Sequence, residues 1–341
     1  MPSQITEEGV LQALSSVQDP DLNKDIVSLN FVRNIAINDS SVSFTLMLTT
    51  PACPMKGKLQ FDSEQALRSK FPNISSIDIT FDSEVRKDSR LNQQLDTPIK
   101  NVIAVGSGKG GVGKSTVSVN LAVALAKEGA KVGILDADIY GPNIPMLLGI
   151  DELPDPQNEK LVPATAYGVQ VMSMGFLIPA DQALVWRGPM INSALKQLIS
   201  DVLWDDLDYL ILDLPPGTGD AQLSAAQLVP LAGGIVVTTP QAVAVSDAVR
   251  GVDAFRKLQV PVLGIVENMS GSIFGTGGGE KAAAQLEIPF LGRIPLEEQI
   301  ASAGEAGTPF IDKVQEGEAA DIFRKLARVV AARVSILNSR S

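Results

Sequence analysis

Histidine is absent from all 341 residues, which removes the commonest metal ligand and the usual neutral-pH base. Any chemistry must therefore use carboxylates, lysines, water and Mg²⁺. Cysteine occurs once, as Cys53, so no intrachain disulfide can form. That fits a reducing compartment, and a cytoplasmic protein is expected. No apolar run approaches the ~20 residues needed to span a bilayer, so no stable membrane insertion is expected. The opening Met1-Pro-Ser-Gln-Ile-Thr-Glu-Glu8 has neither the basic region nor the apolar core of a signal peptide. Positive charge is short: 28 Lys and Arg against 39 Asp and Glu leave a net charge of −11. Affinity for a nucleic-acid backbone needs clustered Lys and Arg, so no general nucleic-acid partner is expected. What remains is ordinary globular composition, 45% hydrophobic and 20% charged, in a chain long enough for two or three domains.

One stretch organises the chain. Val102-Ile-Ala-Val105 leans toward a β-strand, five glycines follow between Gly106 and Gly113, and then Val119, Leu121, Ala122, Leu125 and Ala126 recur at helical spacing. Within it Gly108, Lys109, Gly110, Gly111, Val112, Gly113, Lys114 and Ser115 fit G-x-x-x-x-G-K-[ST], followed by Thr116. In such a loop backbone N–H groups cradle phosphates, the lysine reaches the outer phosphates and the hydroxyl binds Mg²⁺. The helix start behind it adds free N–H groups and the positive end of its dipole. Gly106, Gly108 and Gly111 also satisfy G-x-G-x-x-G. A dinucleotide loop, however, has no use for Lys114 and Ser115, and Asp136 lies about ten residues beyond the usual ribose-binding spacing. The phosphate loop is the better reading.

Lys109 is not required by a phosphate loop, yet it sits among the phosphate-facing amides. With it, the Lys109-Gly-Gly-Val-Gly-Lys-Ser-Thr116 run resembles the deviant-Walker ATPases, which include MinD, ParA and the nitrogenase iron protein. The resemblance implies a homodimer in which Lys109 reaches the partner's nucleotide.

In chain order, residues 1–84 read as a small α+β domain. Ile5, Val10, Leu11 and Leu14 make a helical stripe. Val42, Phe44, Leu46 and Leu48 alternate as on a half-buried strand, and 74–81 forms another. Pro54 suits the first position of a helix running toward Lys70. That places Cys53 at a helix N-terminus, where the dipole lowers a thiol pKa. Asp19-Pro20, the 25–29 segment and Thr50-Pro-Ala-Cys53-Pro54 resemble the small domain of iron–sulfur assembly factors, in which the matching cysteine is a candidate functional thiol. A buried structural cysteine is the competing reading. Residues 85–98 are polar with little apolar periodicity and read as a linker.

From 99 to 341, strands and helices alternate, the signature of a doubly wound, mostly parallel α/β sheet. The strand Lys131–Leu135 runs into Asp136 and Asp138, beside the phosphate loop, where such sheets bind ligands. The resemblance makes Asp138 the water-positioning acid. The strand Tyr209–Leu212 delivers Asp213, ahead of Pro215-Pro216-Gly217, which resembles a Walker B and switch II segment. Asp213 and Ser115 are thereby the Mg²⁺-side residues, and Lys109, Lys114, Asp138 and Asp213 the catalytic set. Asn268, after the strand Val262–Val266, offers a donor and an acceptor together, matching the edge of adenine. The family uses an asparagine there for that purpose.

Trp186-Arg187-Gly-Pro-Met190, Leu212 through Gln222 and Glu267-Asn-Met-Ser270 narrow the resemblance to the Mrp branch, described as ATP-dependent iron–sulfur cluster carriers, over nearly the whole chain. The branch implies ATP and Mg²⁺ as cofactors, a [4Fe–4S] cluster as cargo, and client or assembly proteins as partners. One departure stands out. The branch carries Cys-Pro-x-Cys between Asn-Met-Ser and a glycine-rich turn, whereas here 270–279 joins the two directly. Thiolates hold such clusters, so Cys53 from two protomers, an external thiol or a partner must supply the ligands. A nucleotide-gated scaffold that holds no cluster, or a MinD/ParA-like positioning ATPase, is the alternative. In the C-terminal segment Ile322, Leu326, Val330, Val334 and Leu337 share one stripe, whose width favours a helix closing over the sheet rather than one lying on a membrane.

Overall fold

A computed structural model of the chain describes residues 5–94, 97–138, 141–177, 188–217 and 226–340. Two compact units divide it: residues up to Arg86 together with those from Ser335, and Lys87 to Val334. Trp186, Arg187 and residues 218–222, all part of the motifs above, lie outside the described residues.

The smaller unit opens with helix Glu7–Leu14, whose N-cap Thr6 accepts the amide of Gly9 at 3.1 Å. Caps of this kind stabilise a helix by about 1 kcal/mol. A short hairpin pairs β1 (Gln18–Asp19) with β2 (Lys24–Asp25). Then β3 (Val32–Asn38), β4 (Ser41–Leu48) and β5 (Ser76–Ser83) form a sheet with β4 in the centre, antiparallel to β3 and parallel to β5. The alternation read in β4 is realised, with Val42, Phe44, Leu46 and Leu48 buried. Helix Lys56–Lys70 adds Leu59 and Leu67 to this core.

The larger unit holds β6 (Val102–Ser107), β7 (Val132–Asp136), β8 (Ala164–Ala166), β9 (Val169–Ser173), β10 (Tyr209–Asp213), β11 (Gly233–Thr238), β12 (Val262–Ser270) and β13 (Phe290–Pro295). They form one eight-stranded sheet in the order β13-β12-β11-β6-β10-β7-β9-β8. Every pairing is parallel except β8 with β9. Strands β6, β7, β10 and β11 are buried along their whole length, as expected of a sheet covered on both faces. The order turns at β6, which lies between β10 and β11. The loop after β6 therefore leaves at the switch point, where doubly wound sheets bind ligands.

Residues 85–98 contribute more than a tether. Helix Ser89–Gln94 forms there, and Leu91 is fully buried in the larger unit's core beside Val102 and Leu210. Arg90 binds Asp88 and the carbonyl of Leu231. The final helix, Glu318–Arg340, buries Leu326, Val330 and Val334 of the expected stripe, with Phe323 in place of Ile322, while Ile322 and Leu337 are half-buried; the middle of the stripe is a core face. Among the described residues no helix is long and apolar enough to cross a membrane.

Candidate functional site

The phosphate loop runs from β6 into helix Lys114–Lys127. Two glycines are dictated by different constraints. Gly113, the helix N-cap, has φ of 79°, and a Cβ there would lie 2.2 Å from Nδ2 of Asn268. At Gly108 the obstacle is backbone: a Cβ would meet the carbonyl carbon of Asp247, in helix Ala242–Lys257, at 2.1 Å. The loop's first glycine is thus needed for close packing of a neighbouring helix, a requirement the sequence motif did not reveal.

Lys114 is buried, and its Nζ lies 2.6 Å from Oδ2 of Asp213, which is fully buried at the end of β10. The Ser115 hydroxyl donates to the same oxygen at 2.7 Å, and that of Ser118 donates to Oδ1 at 2.6 Å. Ser118 escaped the motif reading, although it stands one turn after Lys114 and so on the same helix face. Gly217 N donates to Ser107 O at 2.9 Å, tying the Pro215-Pro216-Gly217 turn to the root of the loop.

The two aspartates after β7 divide their work. Asp136 accepts the amides of Asp138 and Ile144 and the hydroxyl of Ser173, at 3.1 to 3.2 Å. Burial, with Asp213 in register on the adjacent strand, pushes the Asp136 carboxyl up to about 7. Its role is to shape the turn that carries Asp138. Asp138 lines a cavity of about 230 Å³ with Lys109, Lys114, Ser115 and Pro216. The structure therefore brings all four residues of the expected catalytic set to one place: three line this cavity, and Asp213 is bonded to Lys114 beneath it. Lys109 is partly exposed and makes no ion pair among the described residues, while its carbonyl accepts the Ser107 hydroxyl at 2.9 Å.

A second, mainly apolar cavity of about 310 Å³ is lined by Thr116, Asn268, Met269, Pro295, Leu296 and Ile300, among others. Asn268 donates from Nδ2 to the Val112 carbonyl at 2.9 Å. That bond orients the amide and leaves one N–H and the oxygen for a ligand.

Comparison with known proteins places this geometry. The description "NUBPL iron-transfer P-loop NTPase", of the ParA type, matches residues 98–331. The chain belongs to this family. Residues 7–80 match the iron–sulfur cluster assembly protein family. An iron–sulfur cluster carrier protein of Synechocystis sp. is 46% identical, over 97% of this chain and 99% of that protein. One from Escherichia coli is 42% identical over 95% and 91%. Among solved structures, a nucleotide-binding protein from Archaeoglobus fulgidus in complex with ADP is 35% identical with a TM-score of 0.58, covering 70% of this chain and 97% of that one. The cell division ATPase MinD of Pyrococcus furiosus is 27% identical with a TM-score of 0.56, covering 67% and 98%.

In this ParA-type NTPase the loop after Asn268 is short. Gly271 and Gly275 exchange two backbone hydrogen bonds of 2.8 and 2.9 Å around Ser272, Ile273 and Phe274. Among the described residues no group of three or more Cys, Asp or Glu is placed to hold a metal by itself.

Cys53 corrects one expectation. Helix Lys56–Lys70 begins three residues beyond it, not at Pro54. Burial, with the carboxylates of Asp19 and Asp21 nearby, pushes the thiol up to about 11, opposite to the lowering expected at a helix start. Because the thiolate is the nucleophile, iodoacetamide at about pH 7.5 should label native Cys53 roughly 100-fold more slowly than a free cysteine of pKa about 8.5. Mass spectrometry of native and unfolded samples reads the difference, and equal rates would contradict the raised thiol pKa.

Proposed function

We propose that this chain is a Mg²⁺-dependent ATPase, active as a homodimer, that serves the assembly of iron–sulfur clusters or their transfer to client apoproteins. The observation that carries the nucleotide part is the convergence of Lys109, Lys114, Ser115 and Asp138 on one cavity, with Asp213 bonded to Lys114 and Ser115 beneath it. Glycine-loop amides and the Lys114 ammonium hold the triphosphate. Asp138 orients the attacking water. The Ser115 hydroxyl and the Asp213 carboxylate are hard oxygen donors 2.7 Å apart, which suits Mg²⁺, an ion that completes its shell with water and phosphate oxygens. When bound there, the ion neutralises charge on the phosphates.

The adenine base fits the apolar cavity. With one Asn268 N–H on Val112, the remaining N–H and oxygen match the paired acceptor and donor on the N7/N6 edge of adenine.

The cluster part rests on the kinship with proteins named cluster carriers and on the assembly-type small unit. One thiol cannot hold a four-iron cluster, so the cluster is cargo whose ligands come from two Cys53 thiols across a dimer, an external thiol or the client. Anaerobic incubation with iron, sulfide and an apoprotein acceptor tests this. ATP-dependent activation of the acceptor is expected. A protein that takes up no iron and leaves the acceptor unchanged would overturn the carrier reading in favour of a nucleotide-gated scaffold. If Cys53→Ala loses the cluster absorbance at unchanged ATP turnover, Cys53 is a ligand; an unchanged yield assigns the ligands elsewhere.

A further inference from the structure

Next to Asn268, Glu267 is a fully buried carboxylate, an expensive group to bury unless its oxygens are satisfied. Four donors converge on it. Oε1 accepts the Ser270 hydroxyl at 2.7 Å, the Gly277 amide at 2.8 Å and Nε of Arg293 at 3.0 Å, and Oε2 accepts the Gly279 amide at 2.7 Å. The two amides belong to the start of helix Gly278–Gln285, and Arg293 stands in register opposite Glu267 on β13 and continues to Glu280.

The elements tied together here are the walls of the apolar cavity. On one side Glu267 precedes Asn268 and Met269, the latter held at φ of 58°, a region that a non-glycine residue occupies only when its surroundings enforce it. On the other side Arg293 precedes Pro295 and Leu296, and Leu296 N donates to Ser270 O at 2.8 Å. The carboxylate thus fixes both strand ends at once, and with them the orientation in which Asn268 meets Val112.

We infer that Glu267 is a positioning residue for base selection: it sets the separation of the two strand ends so that the Asn268 amide and the Leu296 wall accept adenine and reject guanine. The inference rests on the adenine reading of this cavity given above. It differs from a general stabilising role in a readable way, because the phosphate loop leaves β6 and is tied through Lys114 and Ser115 to Asp213, with no bond to Glu267 itself among the described residues. Disturbing Glu267 changes recognition of the base and leaves recognition of the phosphates.

Glu267→Gln keeps the shape but turns an amide N–H₂ toward donors that need an acceptor. Binding of Mg-ATP, Mg-GTP and inorganic tripolyphosphate to wild type, Glu267→Gln and Asn268→Ala separates the possibilities. The expected result is an ATP-over-GTP preference reduced about tenfold in both variants, the share of a bidentate base contact, with tripolyphosphate affinity unchanged in Glu267→Gln; Asn268→Ala, which also removes the bond to Val112 in the phosphate loop, is read on the ATP-to-GTP ratio alone. A preference lost in Asn268→Ala but kept in Glu267→Gln overturns the role of Glu267 alone. A wild type that binds ATP and GTP equally overturns the base reading, and this inference with it. Parallel loss of tripolyphosphate affinity makes Glu267 a scaffold residue and also overturns the inference. If Glu267→Gln does not fold, Arg293→Gln at its partly exposed partner reads the same ratio, and an unchanged ratio there is equally decisive.

Discussion

Lys114→Ala is expected to lower Mg-ATP turnover by at least 10²–10³, the order of effect of removing one preorganised electrostatic contact to a developing phosphate charge. Asp138→Ala should fall comparably, through loss of the group that orients water. Lys114→Ala carries a second expectation, because its partner Asp213 is fully buried and stands in register with Asp136. Breaking a buried pair by deleting one member typically costs about 3–5 kcal/mol, reduced here by the hydroxyls of Ser115 and Ser118 that stay on Asp213. Part of the deficit depends on pH. Asp136 has a native pKa raised to about 7, against 3.8 for the ordinary carboxyl, and Lys114 is among the groups that hold it down. Its stabilising protonated form is present at low pH in wild type and variant alike and is lost as pH rises through the native value. The share of the deficit owed to Asp136 therefore opens above about pH 7, where the wild-type carboxyl ionises and Lys114 offsets its charge. Denaturant titrations of both proteins at pH 6 and pH 8 read this, and phosphate release reads turnover. A Lys114→Ala protein with wild-type turnover would displace the site from this loop.

Lys109→Ala is expected to lose turnover by a similar or larger factor, since a cation supplied to the phosphates by a second subunit can contribute 10³–10⁵. Lys109 lines the cavity with its carbonyl pinned by Ser107, so its backbone is fixed while its side chain remains able to reach across an interface. Mixing Lys109→Ala with Lys114→Ala then gives heterodimers in which one site has both lysines, one from each chain. In an equal mixture roughly a quarter of wild-type activity should return for a two-fold dimer. Activity that stays at the level of the separate variants would assign Lys109 to its own chain's nucleotide. A monomer with concentration-independent turnover would remove the dimer from the mechanism.

Much of the site was legible because local chemistry dictates it. Glycines, a lysine and a hydroxyl at fixed spacing between an apolar strand and a helical stripe specify a phosphate loop whatever surrounds them. An aspartate at the end of an apolar strand reaches the same edge because parallel strands all point their C-terminal ends one way. The apolar run Tyr209–Leu212 alone predicts the strand that delivers Asp213, and β10 extends one residue further, to Asp213 itself; such a run is what a sheet buried on both faces requires. The linker reading of 85–98 missed the burial of Leu91, since a single apolar residue in a polar stretch carries no period.

The sequence by itself determined the phosphate loop, the paired acids and the order of the strands' chemistry. Tertiary structure alone decided which carboxylate binds Lys114, that Asp136 shapes a turn while Asp138 faces the cavity, that Gly108 yields to Asp247, and that Glu267 joins two strand ends. It also decided that Cys53 is a half-buried thiol with a raised pKa, where local order had placed it at a helix start. The division has one physical cause. Loop and strand propensities act over a few residues and are written in their order. Desolvation, register and hydrogen-bond partnership arise between segments far apart in the chain, as Lys114 and Asp213 or Val112 and Asn268 are, and no local pattern records them.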